Sequence, residues 1–511
     1  MTRRQFARSI SAAALASRAH AADSFSFTLD PAKFRHYTDE FNADDKEDEG
    51  GVIKNAEAWD WIVKNAPLFT CPDPEIERTY YFRWWTYRKH IHETPEGYLI
   101  TEFLKKVNHA GEYNSLSCAL GHHIAEGRWL RDSRYLDQDI HFWLRGGENG
   151  GLRTNYHQFS GWTAAALYDR YLVDGRRDFL ISYLEPLILD YTTWEHDRLT
   201  DTGLFWQRDV SDGMEESISG GRRVKNIRPS INSYMYGNAR AIAAIATLAG
   251  KDGVAREFAD KASRLKDLVQ ERLWNREAAF FETVLESGQF ANVREEIGFT
   301  PWYFDLPEDR KEFSAAWKQL MDPEAFFAPF GPTTAERRHA QFKIAYEGDD
   351  CQWNGPSWPF ATAITLRAMA NLLNGYRQNA VTRQDYFRIF DIYTRSQQLK
   401  LQDGRVIPWI DEDQNPLTGE WVARARKIAK GTFYGRGDYY NHSAYCDLVI
   451  TGLVGLRRRA DGKMEVKPLA PAEWDWFALD GVPYHGRVWT ILFDRAGTRF
   501  GKGKGLRMFS V

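Results

Sequence analysis

Ala239-Arg-Ala-Ile-Ala-Ala-Ile-Ala246, followed after a short break by Arg256-Glu-Phe-Ala-Asp-Lys-Ala-Ser-Arg-Leu-Lys266, is the pair of segments on which the fold turns. Both carry apolar residues at helical spacing, but the first is rich in small residues and the second in charges. Small side chains let helices approach closely in an inner layer, whereas the charged segment suits a helix with one face in water. The same spacing runs from about residue 55 to 456 and predicts helices over Leu116–Leu130, Trp162–Val173, Phe179–His196, Ser233–Leu248, Ala255–Leu273, Phe360–Leu373 and Ala444–Leu456. Alternation of the two kinds predicts concentric rings of helices.

After Leu456 the texture changes. Met464–Pro468, Trp474–Leu479 and Val488–Phe493 are short, alternating and punctuated by Gly and Pro, which reads as strands and turns. The expected organisation is an N-terminal extension over 23–54, an all-α main domain over 55–456, and a small β appendage over 457–511 that packs on the helical body.

Residues 1–22 read as a twin-arginine targeting segment. Thr2-Arg-Arg-Gln-Phe6 is followed by a weakly apolar run and the small-residue site Ala19-His-Ala21. The expectation is a periplasmic or secreted protein. No other stretch approaches the roughly 18 uninterrupted apolar residues that a membrane span needs.

The composition is that of a globular chain, with 43% hydrophobic and 27% charged residues. A formal charge of −3 leaves no footprint for nucleic acid. The unusual feature is aromatic content: 19 Trp, 24 Tyr and 31 Phe supply flat apolar faces for packing and for stacking on sugar rings. Cys71, Cys118, Cys351 and Cys446 are widely spaced, which points to neither a zinc site nor a disulfide scaffold and leaves one or two bridges open. No cofactor is expected. His122 and His123, adjacent on a helix, point in different directions and read as structural rather than as a metal pair.

Function concentrates on loops held by a rigid scaffold. Here the loops carry Leu204-Phe-Trp-Gln-Arg-Asp209, Gly298-Phe-Thr-Pro-Trp-Tyr303, Trp353-Asn-Gly-Pro-Ser-Trp-Pro359 and Tyr439-Tyr-Asn-His442. Glycosidic cleavage calls for one carboxyl to protonate the leaving oxygen and a second to act on water or on the sugar. Asp212-Gly-Met-Glu-Glu-Ser217 gathers acids in a glycine-flanked bend just before a helix start.

That bend, with Asn232-Ser-Tyr-Met-Tyr236, resembles the loop of trehalases and glycoside hydrolase family 63 that precedes an Asn-rich helix start. Trp353-Asn-Gly-Pro-Ser-Trp-Pro-Phe360 is similar to the family's Trp-Arg-Gly-Pro-Ile/Val-Trp motif. Glu412-Asp-Gln-Asn-Pro-Leu-Thr-Gly419 is similar to its Glu-Tyr-Tyr-Asn/Asp-Pro-X-Thr-Gly motif, and Tyr440-Asn-His-Ser-Ala-Tyr445 to its Phe-X-Trp-Ser/Thr-Ala. The order agrees, and the mannosylglycerate-hydrolase-like branch resembles this chain most in its sparse decoration.

The resemblance implies an (α/α)6 toroid of the six-hairpin glycosidase type and an inverting glycoside hydrolase that removes a terminal sugar from an oligosaccharide or glycoside. It maps Glu215 onto the general acid, expected to be kept protonated by burial, and Glu412 onto the general base. The chain departs from the pattern with Glu215 for Asp, Asp212 for a small residue and Asn354 for Arg, so Asp212 and Glu216 stay open as alternative donors. Expected substrate contacts are Trp353, Trp358 and Trp409 as stacking walls and Arg208, Asn232, Tyr236 and Asn354 as hydroxyl readers, with His442 in the last motif. Alternatives are a polysaccharide lyase using His442 and Tyr445, opposed by two facing carboxylates, and a non-catalytic carbohydrate-binding protein.

Overall fold

The computed structural model describes residues 25–47, 49–344 and 351–510, so the targeting segment expected at 1–22 lies outside the described residues. Helices buried on nearly every side are interleaved along the chain with helices buried mainly on one. The first kind comprises α2 (Leu120–Gly127), α4 (Thr163–Asp174), α6 (Pro229–Leu248), α8 (Thr300–Tyr303), α9 (Pro359–Gly375) and α11 (Cys446–Leu448). Among them come α3 (Arg134–Arg145), α5 (Leu184–Arg198), α7 (Asp252–Arg272) and α10 (Arg383–Ser396), each buried along one stripe, whereas α1 (Pro74–Lys89), ahead of them all, is buried throughout from Thr79 to Lys89.

The helices that carry Ala239–Ala246 and Arg256–Lys266 show why. Helix α7 buries Phe258, Ala262, Leu265 and Val269 alone, a single stripe at helical spacing. Its partner α6 begins with Pro229 at its first turn and is buried from there to Ala239. A Cβ at Gly237 would lie 2.3 Å from Phe304, so that position has room only for hydrogen. Each buried helix touches the next: α2 packs on α4, α4 on α6, α6 on α8, α8 on α9, and α9 on α11, which also packs on α2.

The start of α11 is held from outside. Glu126 of α2 accepts the backbone N–H groups of Tyr445, Cys446 (2.9 Å) and Asp447 (2.7 Å), taking donors that a helix start leaves unpaired. Arg83 of α1 donates to the Ser443 carbonyl at 2.6 Å in the same turn.

Two expected helices are cut short. The pattern over Phe179–His196 is two helices meeting at Tyr183, because Pro186 has no N–H to continue the ladder. The stretch Ala444–Leu456 is one α turn followed by a π turn over Val449–Leu453. The C-terminal strands form an antiparallel sheet in the order β1 (Leu68–Thr70), β2 (Trp476–Tyr484), β3 (Arg487–Asp494) and β4 (Gly505–Ser510). Its first strand comes from the front of the chain, Leu68 opposite Asp480, so the C-terminal strands share a sheet with a segment of the helical body. His485 and Gly486, both at positive φ, make the two-residue turn between β2 and β3.

Replacing Glu126 by Ala leaves three buried amides without an acceptor and should cost at least about 3 kcal/mol of stability, read from urea unfolding. A loss below about 1 kcal/mol would show that the start of α11 does not depend on this carboxylate.

Candidate active site

The long connections into α6, α9 and α11 meet one another. Trp353 N–H donates to the Glu215 carbonyl at 3.0 Å, Ser357 and Gln414 exchange backbone hydrogen bonds at 2.9 Å, and Asn441 N–H donates to the Glu102 carbonyl at 3.0 Å. Segments from four parts of the chain are thereby fixed around a cluster of acids.

Asp212 anchors the first segment. It is buried in the turn Val210–Asp212, receives Arg228 Nε on Oδ2 at 2.9 Å, and is bonded also by the hydroxyls of Ser160 and Ser230. The chain then turns at Gly213 (φ +71°), where a Cβ would come 2.6 Å from the Cys118 sulfur. Glu215 follows, pointing inward, and Oε2 accepts the Cys351 thiol at 2.9 Å. Burial pushes its pKa above the ordinary carboxyl value, with the Cys351 hydrogen bond and the Arg222 charge acting the other way. Glu216, at φ +59°, is 39% exposed and lies 3.8 Å from Arg222.

Glu412 is buried at the second segment. Arg436 Nε lies 2.7 Å from one carboxyl oxygen and Lys427 Nζ 3.4 Å from the other. Beside it Asp411 accepts the Glu412 N–H at 2.9 Å, and its carboxyl is pushed up to about 6 by burial and by the Glu412 charge. The loop bearing Arg436 crosses these acids at Gly437, where a Cβ would stand 1.7 Å from Asp411 Oδ1. Any side chain there would lift the loop.

Cys351 ties the two segments together electrically. Burial raises its thiol pKa most, followed by Glu215, with Glu412 adding to the shift. A further acid, which sequence reasoning missed, is Glu102. It is buried, the Tyr440 phenol donates to Oε1, and its pKa is pushed up to about 7 by burial against the lowering effects of Tyr440 and Arg436. Ile100-Thr-Glu-Phe103 matches no motif, and neither Glu102 nor Cys351 carries a local signal that marks it.

The expected substrate contacts fare unevenly. Asn232 is fully buried and its amide is consumed by backbone: Oδ1 accepts Phe205 N–H at 2.8 Å, and Nδ2 donates to the carbonyls of Phe205 and Arg228, both at 2.8 Å. It clamps the loop and reads no hydroxyl. Tyr236 lies two turns into α6 beside Arg240, whose guanidinium stands 5.5 Å from its ring, with Asp305 nearby, and the acids of the cluster do not act on it. Trp353 and Trp358 stack on each other at 4.9 Å and 11°, each 3% exposed, so they act as a packed pair. Trp409 is sandwiched by Tyr439 at 4.5 Å and the Arg424 guanidinium at 4.8 Å, which leaves no open wall. Arg208 Nε, Asn354 Oδ1, the Trp353 indole N–H and His442 Nε2 are buried side-chain atoms with no hydrogen bond of full geometry among the described residues. Those four have unmet hydrogen-bonding capacity.

His442 lies 3.8 Å from the Tyr440 ring, and burial, then His122, keeps its imidazole neutral by moving the pKa well below 6.5. His123 Nε2 bonds the Asn441 carbonyl at 2.7 Å. The Tyr445 hydroxyl shares a 2.8 Å hydrogen bond with Thr394 among the rings of Phe390 and Tyr393, far from acting as a base on a sugar. All four cysteines are free thiols. Among the described residues no group of His, Cys, Asp and Glu is placed to hold a metal ion, and no helix is long and apolar enough to cross a membrane.

The sequence from residue 112 to 443 matches the profile of the mannosylglycerate hydrolase MGH1-like glycoside hydrolase domain. A solved sialidase structure is 48% identical and superposes with a TM-score of 0.89 over 94% of this chain, but over only 43% of its own length. The chain thus spans less than half of that protein. The GH78 family rhamnosidase of Bacillus sp. GL1 is 13% identical, with a TM-score of 0.55 over 84% of this chain and 41% of the rhamnosidase, a likeness of fold.

Asp212→Ala leaves the Arg228 guanidinium buried without its charge partner and should destabilise by about 3–5 kcal/mol in denaturant unfolding. Glu215→Gln removes a carboxyl that is costly to ionise where it stands and should leave the unfolding midpoint unchanged or slightly higher. Equal losses in the two variants would contradict the different environments assigned to these acids.

Proposed function

Because the chain belongs to the mannosylglycerate hydrolase MGH1-like glycoside hydrolase family, we propose that it removes a terminal sugar from an oligosaccharide or glycoside with inversion at the anomeric carbon. The supporting observation is that half-buried Glu215 accepts the Cys351 thiol at 2.9 Å while buried Glu412, from a separate loop, acts electrostatically on the same thiol. Their environments differ in the direction the chemistry needs. Burial favours the protonated form of Glu215, whereas Arg436 and Lys427 supply positive charge at Glu412.

In this reading Glu215 donates its proton to the glycosidic oxygen as the bond to the anomeric carbon breaks. Glu412 takes a proton from a water attacking the opposite face of the same carbon. Each turnover leaves Glu215 ionised and Glu412 protonated, and exchange with solvent restores both. Room for that water calls for carboxyls ~6.5–9.5 Å apart. Asp212, with its oxygens committed to Arg228, Ser160 and Ser230, fixes the loop and is not the donor. Glu216 is turned toward Arg222 at the surface.

The scaffold of this proposal is an (α/α)6 toroid over residues 55–456, formed by the succession of buried helices that returns from α11 to α2. Of the expected readers, Arg208, Asn354 and His442 are retained, since each has a buried side-chain atom with no hydrogen bond of full geometry among the described residues. Export by the twin-arginine route, carried by Arg3-Arg4 and Ala19-His-Ala21, belongs to the same reading.

Glu412→Gln should lower kcat by ~10²–10⁴ on every substrate, and Glu215→Gln by a similar factor on unactivated disaccharides. On 4-nitrophenyl glycosides, whose leaving group needs no proton, Glu215→Gln should be spared. Proton NMR of the first product from a panel of plant and bacterial oligosaccharides should show the anomer opposite to that of the substrate. Wild-type rates in both variants, or a retained anomer, would overturn the assignment.

A further inference from the structure

Glu102 has no place in the two-carboxylate scheme, yet it is built into the same enclosure. Its backbone is tied to the loop that precedes α11, with Asn441 N–H on the Glu102 carbonyl and Asn441 Nδ2 on the Thr101 carbonyl at 3.1 Å. Tyr440 from that loop donates to Oε1. Oε2 is buried and makes no hydrogen bond that meets full geometry among the described residues, although the Ala119 amide at the start of α2 lies close enough to act on the carboxyl.

The groups facing Glu102 come from every segment packed around it. Arg436 and Tyr440 belong to the last loop, Glu215 to the loop before α6, and Cys118 to the turn into α2. Cys118 is the physical bridge, since its sulfur abuts Gly213 in the bend that presents Glu215. Arg436 lies over the Phe103 ring at 5.3 Å while its Nε meets Glu412, so one guanidinium serves the base and Glu102 together. A carboxyl that served only to cap α2 would need none of these neighbours.

We propose that Glu102 is the third carboxyl group of this site: Oε2 takes a hydroxyl of the bound sugar, and the Glu102 charge helps keep the proton on Glu215. The inference rests on the acid role given to Glu215 above. A like charge nearby disfavours ionisation, so an ionised Glu102 holds Glu215 in the form that donates. Burial sets when that happens, because it pushes the Glu102 carboxyl up to about 7. Below that pH Glu102 is neutral, and its proton offers Oε2 a donor; above it, Oε2 accepts.

The test uses the full chain and, from a panel of plant and bacterial disaccharides, the one that the wild type hydrolyses fastest. Glu102→Gln preserves an oxygen for Tyr440 while removing the charge. It should raise KM by about fivefold or more and move the alkaline limb of kcat/KM to lower pH by roughly 0.5–1 unit, with the melting temperature within a few degrees of wild type. Tyr440→Phe, which raises the Glu102 pKa by removing its hydrogen bond, should move the same limb in the same direction by less. Unchanged KM and limb in Glu102→Gln would overturn the proposal, as would a rate loss accompanied by a large fall in melting temperature and a wild-type pH profile. Glu215→Gln separates the two levels: if it keeps wild-type activity on the disaccharide, the acid assignment fails; if it is inactive and Glu102→Gln is normal, only the role of Glu102 fails.

Discussion

Carboxyl groups crowded out of water cannot all be charged, and the arrangement of this protein follows from that constraint. Glu102, Glu215, Asp411 and Glu412 are gathered with little solvent around the Cys351 thiol and the Arg436 guanidinium. Ion pairs reach Glu412 and Asp411, through Arg436, Lys427 and Arg424, whereas at Glu215 and Glu102 burial outweighs the lowering effects of Arg222 and Arg436. Burial therefore favours the protonated form of Glu215 and pushes Glu102 up to about 7. A division into proton-holding and proton-accepting acids is what general acid–base chemistry requires.

Keeping such a cluster together costs stability, and the scaffold offsets it locally. Each loop is pinned by buried hydrogen bonds: Asp212 with Arg228, Asn232 with the Phe205 backbone, and Glu126 with the amides of α11. Gly213 and Gly437 stand where a side chain would strike Cys118 or Asp411. The buried helices supply rigidity behind the loops, and the front strand β1 locks the C-terminal sheet onto the same body.

Much of this was legible in the sequence, for a physical reason in each case. The contrast between the Ala239–Ala246 and Arg256–Lys266 segments survives directly as the buried α6 and the striped α7. The Glu215 and Glu412 loops, named by motif order, each bond to the segment from Trp353 to Ser357. What stayed hidden depends on contacts between distant segments. Glu102 sits in a stretch with no motif and acquires its character from Tyr440, 338 residues away. Asn232 and Tyr236 are both expected as hydroxyl readers, yet the first is spent on backbone and the second lies against Arg240 two turns into the helix. The tryptophans flanking Gly355 and Pro356 were read as walls, but facing each other they fill space. Helix periodicity ran through Tyr183 because the buried face continues past the break that Pro186 forces.

The most direct measurement is a crystal structure of the Glu215→Gln variant with an uncleaved oligosaccharide bound. The account predicts the sugar enclosed between the loops, with the residue 215 amide ~2.6–3.2 Å from the glycosidic oxygen. A water should be held by Glu412 on the opposite face of the anomeric carbon. A sugar seated away from both residues, or carboxyls at ~5 Å with Glu412 itself against the anomeric carbon and no space for water, would contradict it.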